Sequence, residues 1–250
     1  MTLQEEFELQ GNWLFRYRSF LPLAILAVGV AVFVFTVVGH GGLYVCLQPF
    51  HTAYEWSCLC VSLLGVGVRA YTVGHTPGGT SGRNTARQVA DCLNTTGIYS
   101  VVRHPLYLGN FLMWLGISLL TCSPGFVVAF ILAYFIYYER IMYAEELFLR
   151  RKFGQSYEAW ASVTPAFVPR PGLFVPSPLP FSWKKVLKKE KNGVFALLLT
   201  FAAFDAIGAL LGGGYGVNMA MSALALVSGI AYVVLTYIKH HTRLLDESGR

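Results

Sequence analysis

The chain has 250 residues, of which 55% are hydrophobic and 13% charged, about half the charged share of ordinary soluble domains. That balance argues against a water-soluble domain and for an integral membrane protein. Its 19 Lys and Arg against 13 Asp and Glu give a formal net charge of +6, which the placement of the cations explains without a nucleic-acid motif or partner.

In chain order, a polar, acidic stretch over 4–18 comes first, followed by no small-residue cleavage site, so the first apolar run is expected to be a retained anchor. Apolar stretches near the ~20 residues that cross a bilayer lie at 20–38, 54–73, 107–122, 125–138, 193–211 and 217–238. They predict an all-α polytopic bundle of about six spans. The third and fourth are the shortest and meet at Ser123-Pro124, which predicts a tight helical hairpin. Five cysteines, Cys46, Cys58, Cys60, Cys92 and Cys122, have neither zinc-site nor disulfide spacing and read as small apolar fillers.

Lys and Arg collect in alternate connections: before span one, between spans two and three, between spans four and five, and after span six. The remaining connections carry neither residue. By the rule that cytoplasmic loops gather positive charge, both termini are expected in the cytoplasm. Arg69, near the cytoplasmic end of span two, is expected to snorkel toward the headgroups.

Two cytoplasmic segments have the length to hold a site. In the first, 75–82 is too rich in Gly and Pro for helix, and 84–93 reads as a short helix. In the second, helical character continues from span four through Glu145 and Glu146 to a stop at Gly154. Six prolines between Pro165 and Pro180 then prevent regular structure. The Lys-rich stretch 181–192, with Trp183, Val186 and Leu187, reads as a short helix on an anionic membrane surface or as ordinary positive-inside charge.

The chemistry-bearing motif stands at the mouth of span three: Arg103-His104-Pro105-Leu106-Tyr107, then Gly109. Pro105 suits a first helical turn, leaving unpaired backbone N–H groups that can hold a carboxylate. His104 and Tyr107 add hydrogen-bonding side chains. On the residues alone, an interfacial Arg/His/Tyr belt is an equal reading.

Thr96-Gly97-Ile98-Tyr99 followed by Arg103 to Gly109 resembles the cofactor motif of the isoprenylcysteine carboxyl methyltransferase family, membrane enzymes that use S-adenosylmethionine. Glu145-Glu146, Phe153-Gly154-Gln155-Ser156-Tyr157, Val163-Thr164-Pro165 and Pro169 resemble that family's paired glutamates, Phe-Gly-x-x-Tyr element and proline-containing end. The resemblance covers about 91–169. It implies a cofactor pocket lined by Tyr99, His104, Pro105, Leu106 and Tyr107, with 91–94 nearby and Glu145 bonding the cofactor's polar end. It divides the chain into N-terminal spans (1–73), a methyltransferase-like core (74–170), a Pro-rich and basic interfacial segment (171–192) and C-terminal spans (193–250).

The implied reaction is methyl transfer to an acidic group of a lipid or lipid-linked substrate at the cytoplasmic face of a bacterial inner membrane. A phosphate or carboxylate acceptor is already ionised near neutral pH, so positioning and cations matter more than a strong base. Arg103 and Arg140 are the candidate catalytic cations, with Arg83, Arg87 and Arg140 as candidates to bind the acceptor. In the family's eukaryotic members a substrate-binding arginine stands four residues before the cofactor glutamate, where this chain has Ile141. Arg140 is one residue further back, about 140° around a helix from Glu145. A phosphate-bearing lipid is therefore a reasonable acceptor, as in similar bacterial enzymes that methylate a lipid A phosphate. The rival readings are the isoprenylcysteine carboxylate itself, a phospholipid nitrogen, and a non-enzymatic transporter or structural protein. Asp205, inside span five, is expected to hydrogen-bond a Ser, Thr or Tyr of a neighbouring helix.

Overall fold

A bilayer offers no water to backbone N–H and C=O groups, so long apolar runs must satisfy their own hydrogen bonds as helix. In the computed structural model, which describes residues 1–39, 41–79, 88–212, 214–247 and 249, every expected span falls on a helix. The described residues form α1 (Leu3–Tyr17), α2 (Leu21–Val38), α3 (Gly42–Leu47), α4 (His51–His75), α5 (Pro105–Leu120), α6 (Pro124–Phe153), α7 (Gln155–Val163), α8 (Trp183–Leu210) and α9 (Met219–His241). An isolated Gly97–Val175 bridge is the nearest approach to a sheet among them.

Length and composition qualify four of these units as crossings: α4 with its α3 lead-in, α6, α8 and α9. A fifth arises if α1 and α2, bent by 73°, form one broken span. At 16 residues, α5 is about 24 Å long at 1.5 Å per residue, short of a ~30 Å hydrocarbon core. The fourth span, by contrast, is not short: α6 runs unbroken for 30 residues and carries Glu145 and Glu146 on its far turns. Its stop is Gly154, at φ +53, where a side chain would be strained.

Helix α5 packs most extensively against α4, and small residues make that possible. A Cβ on Gly65 would run into the Gly109 carbonyl, and one on Gly116 into Ser62 and the Cys58 carbonyl. Ser62 Oγ donates to Met113 O at 2.8 Å across the same seam. This is the small-residue packing by which membrane helices approach closely. Phe33, Leu59, Leu197, Phe201, Phe204 and Met221 fill the central core. A second, aromatic cluster of Phe15, Tyr107, Phe130, Tyr134 and Tyr138 with Ile141 lies between α1, α5 and α6.

Two local readings change. Positions 88–93 hold no helix, and 84–87 lie outside the described residues. The Lys-rich stretch is no separate surface helix, because α8 starts at Trp183, with Ser182 Oγ capping Lys185 N, and continues through Leu210. The acidic N-terminal stretch folds as α1, closed by a Thr2/Glu5 capping box. It docks on the far half of α6 through Glu8–Arg151 and Tyr137–Leu14 contacts. Residues near both ends of the chain, Glu8 and Asp246, thus meet the same end of the bundle, the latter through Lys188 of α8.

Candidate functional site

The loop before α5 is shaped by backbone bonding. Gly97, at φ +61, opens a turn whose Ser100 Oγ donates back to Gly97 O at 2.7 Å. The Pro-rich stretch, irregular as its prolines require, lies along this loop. Arg103 N donates to Pro165 O at 2.9 Å, His104 N to Ala166 O at 3.2 Å and Arg170 N to Val101 O at 3.0 Å. Trp160 Nε1 donates to Tyr99 O at 3.0 Å. Pairing of the two segments fixes the backbone on which the motif side chains stand.

Pro105 begins α5 and His104 precedes it as N-cap, so His104 and Tyr107 turn toward α6. Tyr107 Oη donates to Glu145 Oε1 at 2.7 Å, and Tyr134 Oη donates to the Tyr107 carbonyl at 2.6 Å. His104 is buried, with Nε2 at 2.9 Å from Glu146 Oε1 and Nδ1 at 3.7 Å from Glu145 Oε2. A carboxylate only accepts, so Nε2 carries the proton in that contact. Arg103 Nε is ion-paired with Glu146 Oε1 at 3.3 Å but off the hydrogen-bonding line, and is buried without a hydrogen-bond partner. Adjacent glutamates on one helix thus have different partners: Glu145 meets the phenol, Glu146 the imidazole and guanidinium.

These groups line a cavity of about 680 Å³, within the usual range of small-molecule sites. Tyr99, Arg103, His104, Pro105, Leu106, Tyr107 and Glu145 all line it, as do Cys92, Leu93 and Asn94. Burial pushes the Tyr99 phenol well above its ordinary range, with Glu145 adding to the effect, so it presents a neutral O–H. Among the sequence-derived candidates, Arg140 stands apart. Its guanidinium sits over the Phe7 ring at 3.5 Å and bonds Gln10 and Glu139, on the face that packs against α1. The helical offset from Glu145 carries it there. Ile141 is fully buried in the aromatic cluster. Arg83 and Arg87 lie outside the described residues.

Other cations reach the cavity. Arg18, just after α1, Arg69 of α4 and Lys189 of α8 line it together with Asn110 and Glu190. Arg69 does not snorkel outward: Nε and Nη2 each lie 2.8 Å from a Glu190 oxygen, and Nη1 donates to Asn110 Oδ1 at 2.6 Å. Sequence reading treated Arg18 and Lys189 as topological charge. The available signal was Arg69, an ion inside an apolar run, which demands a partner or a cavity.

Residues 79–156 match the family model described as phospholipid methyltransferase. A probable protein-S-isoprenylcysteine O-methyltransferase of Oryza sativa subsp. indica is 41% identical over 70 residues, 28% of this chain and 36% of the relative. The nickel-cobalt-cadmium resistance protein NccN of Alcaligenes xylosoxydans xylosoxydans is 33% identical over 130 residues, 50% of this chain and 58% of the relative. The chain therefore spans less than two thirds of either relative. No solved structure gives a significant match.

Proposed function

From the similarity of its central segment to phospholipid methyltransferases and to protein-S-isoprenylcysteine O-methyltransferases, we infer that this chain is an integral-membrane methyltransferase. It takes its methyl group from S-adenosylmethionine and gives it to an acidic group, phosphate or carboxylate, of a lipid-like substrate at the cytoplasmic face. The observation that carries this reading is the single cavity lined both by the Tyr107–Glu145 and His104–Glu146 pairs and by Arg18, Arg69 and Lys189.

The donor set fits the cofactor. Glu145 supplies carboxylate oxygens suited to an ammonium or ribose hydroxyl, while the first turn of α5 and Arg103, whose Nε is ion-paired with Glu146 but makes no hydrogen bond, suit a carboxylate. Tyr99, Leu106 and Trp160 offer apolar surface for a base. When bound, the sulfonium supplies an electrophilic methyl that an acceptor oxygen can attack in line. Arg18 and Lys189 would hold the acceptor's anion, Arg69 would be held ready by Glu190, and the aromatic cluster behind Tyr107 would exclude water. The same cations, with charge-rich loops at this end of the bundle, favour a phosphate-bearing lipid entering from the bilayer and a cytoplasmic orientation. A phospholipid nitrogen, the rival acceptor, must first lose a proton and predicts a steeper pH dependence of rate.

Calorimetric titration of the purified protein with S-adenosylmethionine tests the cofactor assignment. Tyr107→Phe and Glu145→Gln are each expected to weaken binding about tenfold, the loss of roughly one charged hydrogen bond; unchanged affinity in both refutes the site. Radiolabelled donor added to membranes then reads the acceptor, since a methyl ester is released by mild base and a phosphate-linked methyl resists it.

A further inference from the structure

A second polar cluster lies at the opposite end of the bundle, where the connections carry no Lys or Arg. His51 and Glu55 occupy the first turns of α4, Asp205 the last turns of α8, and Asn218 caps α9. One ligand atom from each of His51, Glu55 and Asp205 lies within 4.8 Å of the others. Both carboxyls are 2% exposed, and no ion pair among the described residues reaches either.

Asn218 organises the pair. Its Nδ2 donates to Glu55 Oε2 at 2.7 Å and its backbone N to Asp205 Oδ2 at 2.7 Å. The partner of Asp205 is thus a helix-cap amide and not the hydroxyl expected from sequence. Each carboxyl is fixed through one oxygen, and the second oxygen of Asp205, Oδ1, is buried without a hydrogen-bond partner. The His51 ring is stacked on Tyr215 at a centroid distance of 3.5 Å, which sets its plane, and the residue is half-buried, leaving a way in from the surface.

Two neighbouring buried carboxyls are neutralised either by protons or by a cation at their centre, and the imidazole and the Asp205 oxygen that lacks a hydrogen-bond partner favour the cation. We propose that His51, Glu55 and Asp205 bind a divalent first-row transition-metal cation such as Zn²⁺, with Asn218 orienting both carboxylates from behind. One nitrogen and two oxygens suit this class of ion and leave a position open for water. Ligands about 2.0–2.2 Å from a common ion lie roughly 3–4 Å apart, so small side-chain rotations close the site. The ion would join α4 and α8 and, through Asn218, the start of α9.

Calorimetric titration of the chelator-treated, tag-free full chain in detergent with Zn²⁺ tests the proposal. The wild type takes up one equivalent, His51→Gln and Asp205→Asn weaken uptake more than tenfold, and Asn218→Ala weakens it about tenfold, as loss of a ligand-orienting group does. Circular dichroism and elution volume identify folded variants. If Asp205→Asn does not fold, His51→Gln, at a half-buried position, decides the matter. A wild type that takes up no Zn²⁺, or a folded His51→Gln that takes it up with unchanged affinity, overturns the proposal.

Discussion

Ile141 shows how one side chain redirects a site. In the family's eukaryotic members this position is expected to carry a substrate-binding arginine; here it is an apolar residue with no exposed surface, among Phe15, Tyr107 and Tyr138. Its neighbour Arg140 faces α1, leaving Arg18, Arg69, Arg103 and Lys189 as cations at the cavity. Restoring the arginine is therefore expected to harm the protein without creating an isoprenylcysteine carboxylate site. Ile141→Arg should lower the thermal midpoint in detergent by several degrees, because a guanidinium buried in aromatic surroundings costs kilocalories unless paired. A stable variant with new activity on isoprenylcysteine would contradict this account. The residues proposed to face the cofactor were legible individually: Tyr99, His104, Tyr107 and Glu145 stand at the spacing of the motif they resemble. Their division of labour was not, because adjacent Glu145 and Glu146 acquire different partners only once α5 lies against α6.

Among the elements, the α4–α5 seam and the α1–α6 contact have contrasting physics. The seam depends on absent side chains, so Gly116→Val, whose Cβ would strike Ser62 and the Cys58 carbonyl, is expected to destabilise by about 1–3 kcal/mol. Heat or denaturant unfolding in detergent measures it. Helix α1 is held in part by charge at the surface. Arg151 donates to both Glu8 oxygens at 2.6 and 2.8 Å, and that bonding holds the Glu8 carboxyl below the usual range. A carboxyl with a depressed folded-state pKa contributes its stability above the unfolded value and loses it as pH falls through the folded one. Docking of α1 should thus loosen in acid below about pH 4, and in high salt, which screens exposed charges. Hydrogen exchange of α1 amides should rise under both conditions, and Arg151→Ala should remove both sensitivities. Helix lengths were only partly legible: the run of α6 past its apolar window to Gly154 was expected, but α8 absorbs the lysine run, because capping and tertiary support carry a helix past the hydrophobic boundary.

Across the whole molecule, the proposed methyl-transfer cavity and the proposed cation site share α4, with Arg69 at one and Glu55 at the other. Fourteen residues of helix separate them, about 21 Å at 1.5 Å per residue. At that distance, without shared partners, effects on binding should add. S-adenosylmethionine affinity should be the same in His51→Gln as in the wild type, and unchanged by Zn²⁺; an altered affinity would reveal coupling through α4.

Sequence alone determined that the chain is a helical membrane protein, and it located the motif that resembles a methyltransferase's, because hydropathy and backbone self-satisfaction in lipid are local properties and the motif residues lie in short runs. It also marked Asp205 as an ion needing a partner, while Arg69 was expected only to snorkel toward the headgroups. Tertiary structure decided which partners they have. Arg69 meets Glu190, and Asp205 meets Asn218 beside Glu55, pairings that join residues far apart in the chain and depend on how helices stack. The same packing turned Arg140 away from the cavity and brought Arg18 and Lys189 to it, because a side chain's direction is fixed by the face its helix buries.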